Sequence, residues 1–309
     1  MAGGWKQRWV VAAYLPLVTA TAILFLVTSC ATVPTRSATG AASATAAASG
    51  AGTGTPRDPY RISRFEELLL VGQEEVGYSL DAHYLLVQDI DASPTMEDGW
   101  QPIGAFTFDE SGSPQRAGHR ARINGGFTGG IDGGGHTIRN LTLHPAAAYG
   151  GFISGLAGAY IRNVHFENLR VLSAHPVGGV VGYNSGLIDN VSVSGVVAGG
   201  TSVGGITAVN EGQIRDSSFE GEVSGVRYVA GIAAFNELGN IIDTTARVHV
   251  HAQADAAAFV VVNSAEIRGS QARGTVIGAE RAAAFVLENY GVIYEVASRV
   301  DVDSGNTSE

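Results

Sequence analysis

The chain has 309 residues, 45% of them hydrophobic and 16% charged, with a formal charge of −10 from 19 Lys+Arg against 29 Asp+Glu. That balance argues against nucleic acid or an anionic lipid surface as partner, because a negative field repels both. A single cysteine, Cys30, excludes an intrachain disulfide.

At the start of the chain, Lys6 and Arg8 precede an almost wholly apolar stretch, 9–27, and then Val27-Thr28-Ser29-Cys30. A basic start, an apolar run and small residues at a cleavage point describe an export signal rather than part of a fold. Cysteine at that point resembles the bacterial lipobox, which implies a lipoprotein signal peptide over 1–29, cleavage before Cys30 and acylation of its sulfur. An uncleaved anchor helix is the alternative, since about 20 apolar residues span a bilayer; Pro16 interrupts the stretch and argues against it. Either way the remainder is expected to be exported and held at a membrane, facing the periplasm or the cell exterior. Stable anchoring needs at least two acyl chains, which a lipoprotein cysteine supplies. Segment 31–56, mostly Ala, Thr, Ser and Gly, has no apolar periodicity and reads with Cys30 as a lipidated, disordered tether.

From residue 57, about 250 residues remain, enough for one cored domain. Ser63-Arg64-Phe65-Glu66 matches a helix capping box followed by Leu68, Leu69 and Leu70, so a short capping helix is expected there. Segment 57–149 reads as an N-terminal cap and opening coils. Ile138-Arg139-Asn140-Leu141 echoes Ile161-Arg162-Asn163-Val164 and Ile188-Asp189-Asn190-Val191, so coils begin before the regular repeats.

Internal repetition is the informative signal. Asn184, Asn210, Asn236, Asn263 and Asn289 are spaced by 26, 26, 27 and 26 residues. Four residues before each lies an apolar column: Val180, Ile206, Ile232, Phe259, Phe285. Gly182, Ala208, Ala234, Val261 and Leu287 form a second. Ile188, Ile214, Ile267 and Ile293 follow each asparagine at four residues, and Val197, Val223, Val276 and Val302 at thirteen; one insertion after Asn236 admits Ile241 and Val250. Within each copy apolar residues alternate, the period of strands and not of helices. Each copy over 150–302 therefore reads as one coil of a parallel β-solenoid, with coils about 4.8 Å apart. In such a stack the asparagines form a structural turn ladder of amide on amide, or simply suit the turn. Residues 303–309 read as a polar tail.

Several motifs in this order resemble GLUG-repeat proteins, a bacterial surface β-solenoid family. They are Pro59-Tyr60-Arg61-Ile62-Ser63, Tyr84-Leu85-Leu86 with Asp89-Ile90-Asp91, and Trp100-Gln101-Pro102-Ile103-Gly104. Phe127 with Asp132-Gly133-Gly134-Gly135-His136-Thr137-Ile138, and Val177-Gly178-Gly179-Val180-Val181-Gly182-Tyr183-Asn184, complete the set. Ala256-Ala257-Ala258 and Ala282-Ala283-Ala284 depart from the family's glycines. The resemblance implies a right-handed all-β solenoid. Such modules occur in secreted and surface-attached proteins, including adhesin-like proteins and some immunoglobulin A-type metallopeptidases, whose peptidase is a separate zinc domain.

Residues able to carry chemistry are few. No His-Glu-x-x-His string exists, which excludes the ordinary zincin pattern. His249 and His251 should point outward from one strand, too few for an organised metal site. Asp89 and Asp91 share a strand face, and Asp132 with His136 flanks a glycine turn that explains itself structurally. No catalytic, metal or cofactor site is expected. The preferred reading is a non-catalytic surface or adhesion module for a glycan, cell-wall or surface-protein ligand. A structural envelope spacer is the alternative, and a β-helix polysaccharide lyase or hydrolase the third.

Overall fold

A computed structural model describes residues 52–104, 106–108, 123–145 and 149–305. The chain divides into Met1–Ala38 and Thr39–Glu309. The signal segment, Cys30, the tether up to residue 51 and tail residues 306–309 lie outside the described residues. No helix among the described residues is long and apolar enough to cross a membrane.

The described residues of the second unit form an all-β parallel β-solenoid of about eight turns. Alternation of apolar and small polar residues makes each run a half-buried strand, and Gly, Asn and Asp supply the corners between runs. Three parallel sheets result. The long sheet gathers strands such as Tyr60–Ile62, His83–Leu86, Gly130–Arg139, Tyr160–Leu172 and Leu187–Ala198. Later turns break this long strand in two, as in Gln213–Arg215 followed by Ser218–Gly225. A five-stranded sheet runs from Val177–Gly178 to Arg281–Ala283, and a six-stranded one from Ile153–Leu156 to Val286–Asn289. Phe106–Phe108 and Ile123–Gly125 pair antiparallel.

Equivalent residues of successive turns lie over each other. The Val180 N–H donates to Ile206 O at 3.0 Å, Ile206 to Ile232 at 3.0 Å, Ile232 to Phe259 at 3.0 Å and Phe259 to Phe285 at 3.1 Å. The Phe259 and Phe285 rings stack at 4.5 Å. Ile161, Ile188, Ile214, Ile241, Ile267 and Ile293 pair in series, as do Val197, Val223, Val250, Val276 and Val302. Both series are buried through Ile267 and Val276, while Val302 in the last described coil is 43% exposed. The 27-residue lap places Gly239 against the Gly212 carbonyl and leaves the extra Leu238 exposed. The insertion is thus absorbed in a surface turn and the register on either side is kept.

The first turns depart from the sequence reading in two places. Ile131, not Ile138, pairs with Ile161; a register shift between Asp132 and His136 then sets Ile138 over Phe166. The glycine run 133–135 takes up the slack, so the Ile138-Arg139-Asn140-Leu141 copy is out of register with the other two, which do stack: Ile161 under Ile188, Arg162 under Asp189 and Val164 under Val191. The expected N-terminal capping helix is limited to one turn, Phe65–Leu68. Its box is closed by Glu67, not Glu66: the Ser63 N–H and Oγ donate to Glu67 Oε2 at 2.7 and 2.9 Å. The turn starts one residue late, with Arg64 at the N-cap, so the buried Glu67 is the acid that reaches back.

Ile214 is fully buried, whereas its neighbour Arg215 lies at the surface, bonded to Asp189. Ile214→Asp is expected to destabilise by roughly 4 kcal/mol or more, through an unpaired charge in a dry core. Arg215→Ala should cost only about 1 kcal/mol. Chemical denaturation of the two variants checks the difference, and equal losses would show that the register is wrong.

Candidate binding face and the polar columns

The asparagine column is a continuous buried ladder. Asn184 Nδ2 donates to Asn210 Oδ1, Asn210 to Asn236, Asn236 to Asn263 and Asn263 to Asn289, each at 2.7 Å. The first four are fully buried and Asn289 is exposed. None of the five has positive φ. Amide-to-amide bonding, rather than a left-handed turn, is therefore what the side chain supplies: each buried amide satisfies the next.

The remaining candidate residues sit in structural roles. Asp89 accepts the Thr137 N–H at 3.1 Å and Arg139 Nη2 at 2.7 Å, with His136 Nδ1 at 3.4 Å. The Thr137 N–H foremost, with His136 and Arg139, holds the Asp89 carboxyl below the usual carboxylate range. Asp91 accepts from Asn140 and the Ser93 N–H, and these lower it likewise. Asp132 does not pair with His136. It accepts from the Gly134 N–H, Arg162 and Asn163 at 2.9, 2.9 and 3.1 Å. Burial pushes its pKa up, but those donors outweigh it and hold it low. His249 and His251 lie exposed on strand Thr245–Ala252, with Val250 between them buried and His249 Nδ1 2.8 Å from Thr275 Oγ1. Among the described residues no group of three or more His, Cys, Asp or Glu is placed to hold a metal.

Two further columns escaped the sequence reading. Asn163, Asn190, Asp216, Asp243, Gly269 and Glu295 all have φ between 48° and 61°. Each lies two residues after the Ile161-to-Ile293 series, so the signal is a position that accepts left-handed backbone, not a repeated identity. One step nearer the isoleucines, Asp132, Arg162, Asp189 and Arg215 lie over one another with alternating charge. Asp132–Arg162 and Asp189–Arg215 close at 2.9 and 2.8 Å. Asp255, whose side chain has no solvent exposure, bridges Arg281 and Arg227 at 2.7 and 3.1 Å. Burial, then neighbouring Glu211, pushes the Glu237 carboxyl up.

The outward face of the long sheet is the broadest regular surface. Ser218–Gly225, Thr245–Ala252, Gln271–Gly278 and Ala297–Ser304 are eight residues each and pair without a register break. Their even-step side chains form columns, Glu220-Arg247-Arg273-Arg299, Glu222-His249-Thr275-Asp301 and Ser224-His251-Ile277-Asp303. Most of these groups are exposed, so the columns are free to vary while the inward ones hold the fold.

No family model matches the chain. Halomucin of Haloquadratum walsbyi is 32% identical over 154 residues, which is 47% of this chain and 2% of halomucin. The chain thus spans a very small part of that protein's length. Among solved structures, one of a "putative immunoglobulin A1 protease" from Bacteroides ovatus superposes with a TM-score of 0.54 at 19% identity, covering 82% of this chain and 86% of that one. At that identity the likeness is one of fold.

Asn236→Ala orphans a donor on Asn210 and an acceptor on Asn263, and is expected to cost about 2–4 kcal/mol. Asn289→Ala, at the exposed end, should cost about 1 kcal/mol. Equal effects in urea denaturation would mean that turn preference, not the ladder, selects asparagine. Arg281 first, then Arg227, holds Asp255 below the usual carboxylate range. A lowered folded-state pKa stabilises above the unfolded value of about 3.9 and is lost as pH falls through the folded one. Asp255→Asn should therefore lose about 2 kcal/mol at pH 7. The gap to wild type should close as pH falls below about 4; a gap independent of pH would contradict the assignment.

Proposed function

We propose that this chain is a membrane-anchored extracytoplasmic lipoprotein of GLUG-repeat type, whose non-catalytic β-solenoid serves surface binding or adhesion. The observation that carries the reading is the exposed, in-register face of four eight-residue strands. Its columns present side chains outward at a fixed repeat while the core is sealed behind them, the geometry with which solenoids build extended recognition surfaces. Among the described residues, the acids singled out as candidate chemistry, Asp89, Asp91 and Asp132, lie in turn hydrogen bonds and ion pairs. A similar stretch within the far longer halomucin supports a portable repeat module.

The beginning of the sequence supplies the location: Lys6, Arg8, the apolar run 9–27 and Cys30 after Val27-Thr28-Ser29. Acylated Cys30 would hold the chain on membrane lipid, and the Ala/Thr/Ser/Gly tether would give the solenoid reach. The ligand class is a glycan, cell-wall material or a surface protein, met outside the cytoplasm.

A catalytic reading draws on the protease name given to the Bacteroides ovatus protein. Fold likeness alone does not transfer an activity, and the assay below includes it.

Cells expressing wild type or Cys30→Ala are fed a tagged palmitate, and the full-length protein is then assayed on a glycan array, for release of new sugar ends and for peptide cleavage. Label on wild type but not on Cys30→Ala, with binding and no turnover, is the expected result. Label on both or neither overturns the anchor, and turnover of sugar or peptide overturns the non-catalytic reading.

A further inference from the structure

The outward columns of the long sheet treat charge unequally. Where Asp132, Arg162, Asp189 and Arg215 stack, sign alternates from turn to turn and the pairs close. Arg227 and Arg281 converge on Asp255, and Arg268 is bonded to Glu266 at 3.2 Å. The column beginning at Glu220 breaks this pattern. Arg247, Arg273 and Arg299 follow it on three successive strands as direct Cα partners, and all three are exposed. Arg247 has Glu220 at 3.3 Å. Among the described residues, Arg273 and Arg299 have no acid within salt-bridge distance. Like charges directly opposite on neighbouring strands destabilise a sheet, so this arrangement carries a local cost that the remaining arginines avoid.

From this stack we infer that the Arg247-Arg273-Arg299 column is a binding track for a linear polyanionic glycan, its carboxylate- or sulfate-bearing sugars running along the solenoid axis. The inference rests on the surface-binding reading above and names its ligand class. Guanidinium groups are suited to such a ligand because their planar fork binds carboxylate and sulfate oxygens bidentately. The spacing suits a polymer: coils about 4.8 Å apart set the guanidinium stems at a repeat comparable to one sugar of an extended chain. Polar side chains flank the track, with Gln271 and Thr275 on either side of Arg273 and Thr245 and His249 on the strand before. Glu220 closes one end, and Asp301 and Asp303 lie beside Arg299, so the track is short. At physiological salt charges beyond roughly 8 Å are screened, so the acids that count are those of the same face, Glu220 and Glu222 at one end and Asp301 and Asp303 at the other, and they leave Arg273 as the centre of the track.

The test uses the full-length chain in detergent micelles and three immobilised polymers: polygalacturonate, heparin and neutral dextran. Arg273→Gln and Arg273→Gln/Arg299→Gln remove track charges. Arg170→Gln removes an exposed arginine of the same sheet near its start. Thermal melting checks that all three remain folded. Wild type should bind polygalacturonate or heparin, with affinity falling as salt rises, and should not bind dextran. Arg273→Gln should weaken binding about tenfold and the double variant further, each lost contact being a charge-assisted hydrogen bond. Arg170→Gln should leave it unchanged. Failure of wild type to bind either polyanion, equal binding to dextran, or equal losses in Arg170→Gln and Arg273→Gln would overturn the inference. Dextran or another neutral glycan bound without either polyanion would remove this track while leaving the adhesion reading intact; a chain that cleaves its glycan would instead remove that reading.

Discussion

Parallel hydrogen bonding between consecutive turns is the constraint on which the rest depends. Because the backbone of each lap bonds to the lap beside it, as from Val180 to Ile206 to Ile232, a residue's neighbour is fixed as its own equivalent one turn away. Side chains are therefore chosen in columns rather than singly. Apolar columns gain by burial on both sides. Polar columns survive inside only where every group finds a partner: an amide can be donor and acceptor to its own kind, whereas the buried hydroxyls of Ser217, Thr244 and Ser270 donate to the backbone carbonyls two residues before them. Asn184, Asn210, Asn236 and Asn263 meet that requirement with no solvent at all.

The same rule sorts the charges. A carboxylate over a guanidinium is stable, and Asp132, Arg162, Asp189 and Arg215 form such a sequence. Like charge over like charge is confined to positions that still reach solvent, as with Glu211 and Glu237 or the three arginines of the outward face. Even there it leaves a mark: burial and Glu211 push the Glu237 carboxyl up.

Much of the solenoid was legible because identity itself repeats. The asparagines, the Val180 column and the Ile188 and Val197 columns announce their lap length, and the single insertion after Asn236 falls where Leu238 protrudes. The first turns were not legible in the same way. Gly133, Gly134 and Gly135 bulge between Asp132 and His136, so Ile131 and Ile138 exchange the stacking partners that motif similarity suggests. Glu66 and Glu67 both suit a capping box, and a shift of one residue in the helix start decides for Glu67. The left-handed column from Asn163 to Glu295 was hidden because Asn, Asp, Gly and Glu all fill it. Ion-pair columns were hidden for the opposite reason: alternating sign looks like variation until register is known. For the binding face, sequence placed His249 and His251 outward, yet nothing in the spacing singled out Arg273 before strand pairing set it between two other arginines.

Cross-linking one lap apart tests the stacking most directly. In a Cys30→Ala background, Glu222→Cys/His249→Cys places two thiols on outward side chains that pair across adjacent strands, within the roughly 4.4–6.8 Å Cα range a disulfide bridges. Mild oxidation should close that intramolecular disulfide readily, and should fail with Glu222→Cys/Asp301→Cys, whose members are three strands apart in the same column. Closure of both pairs, or of neither, would contradict a chain wound so that each lap lies over the last.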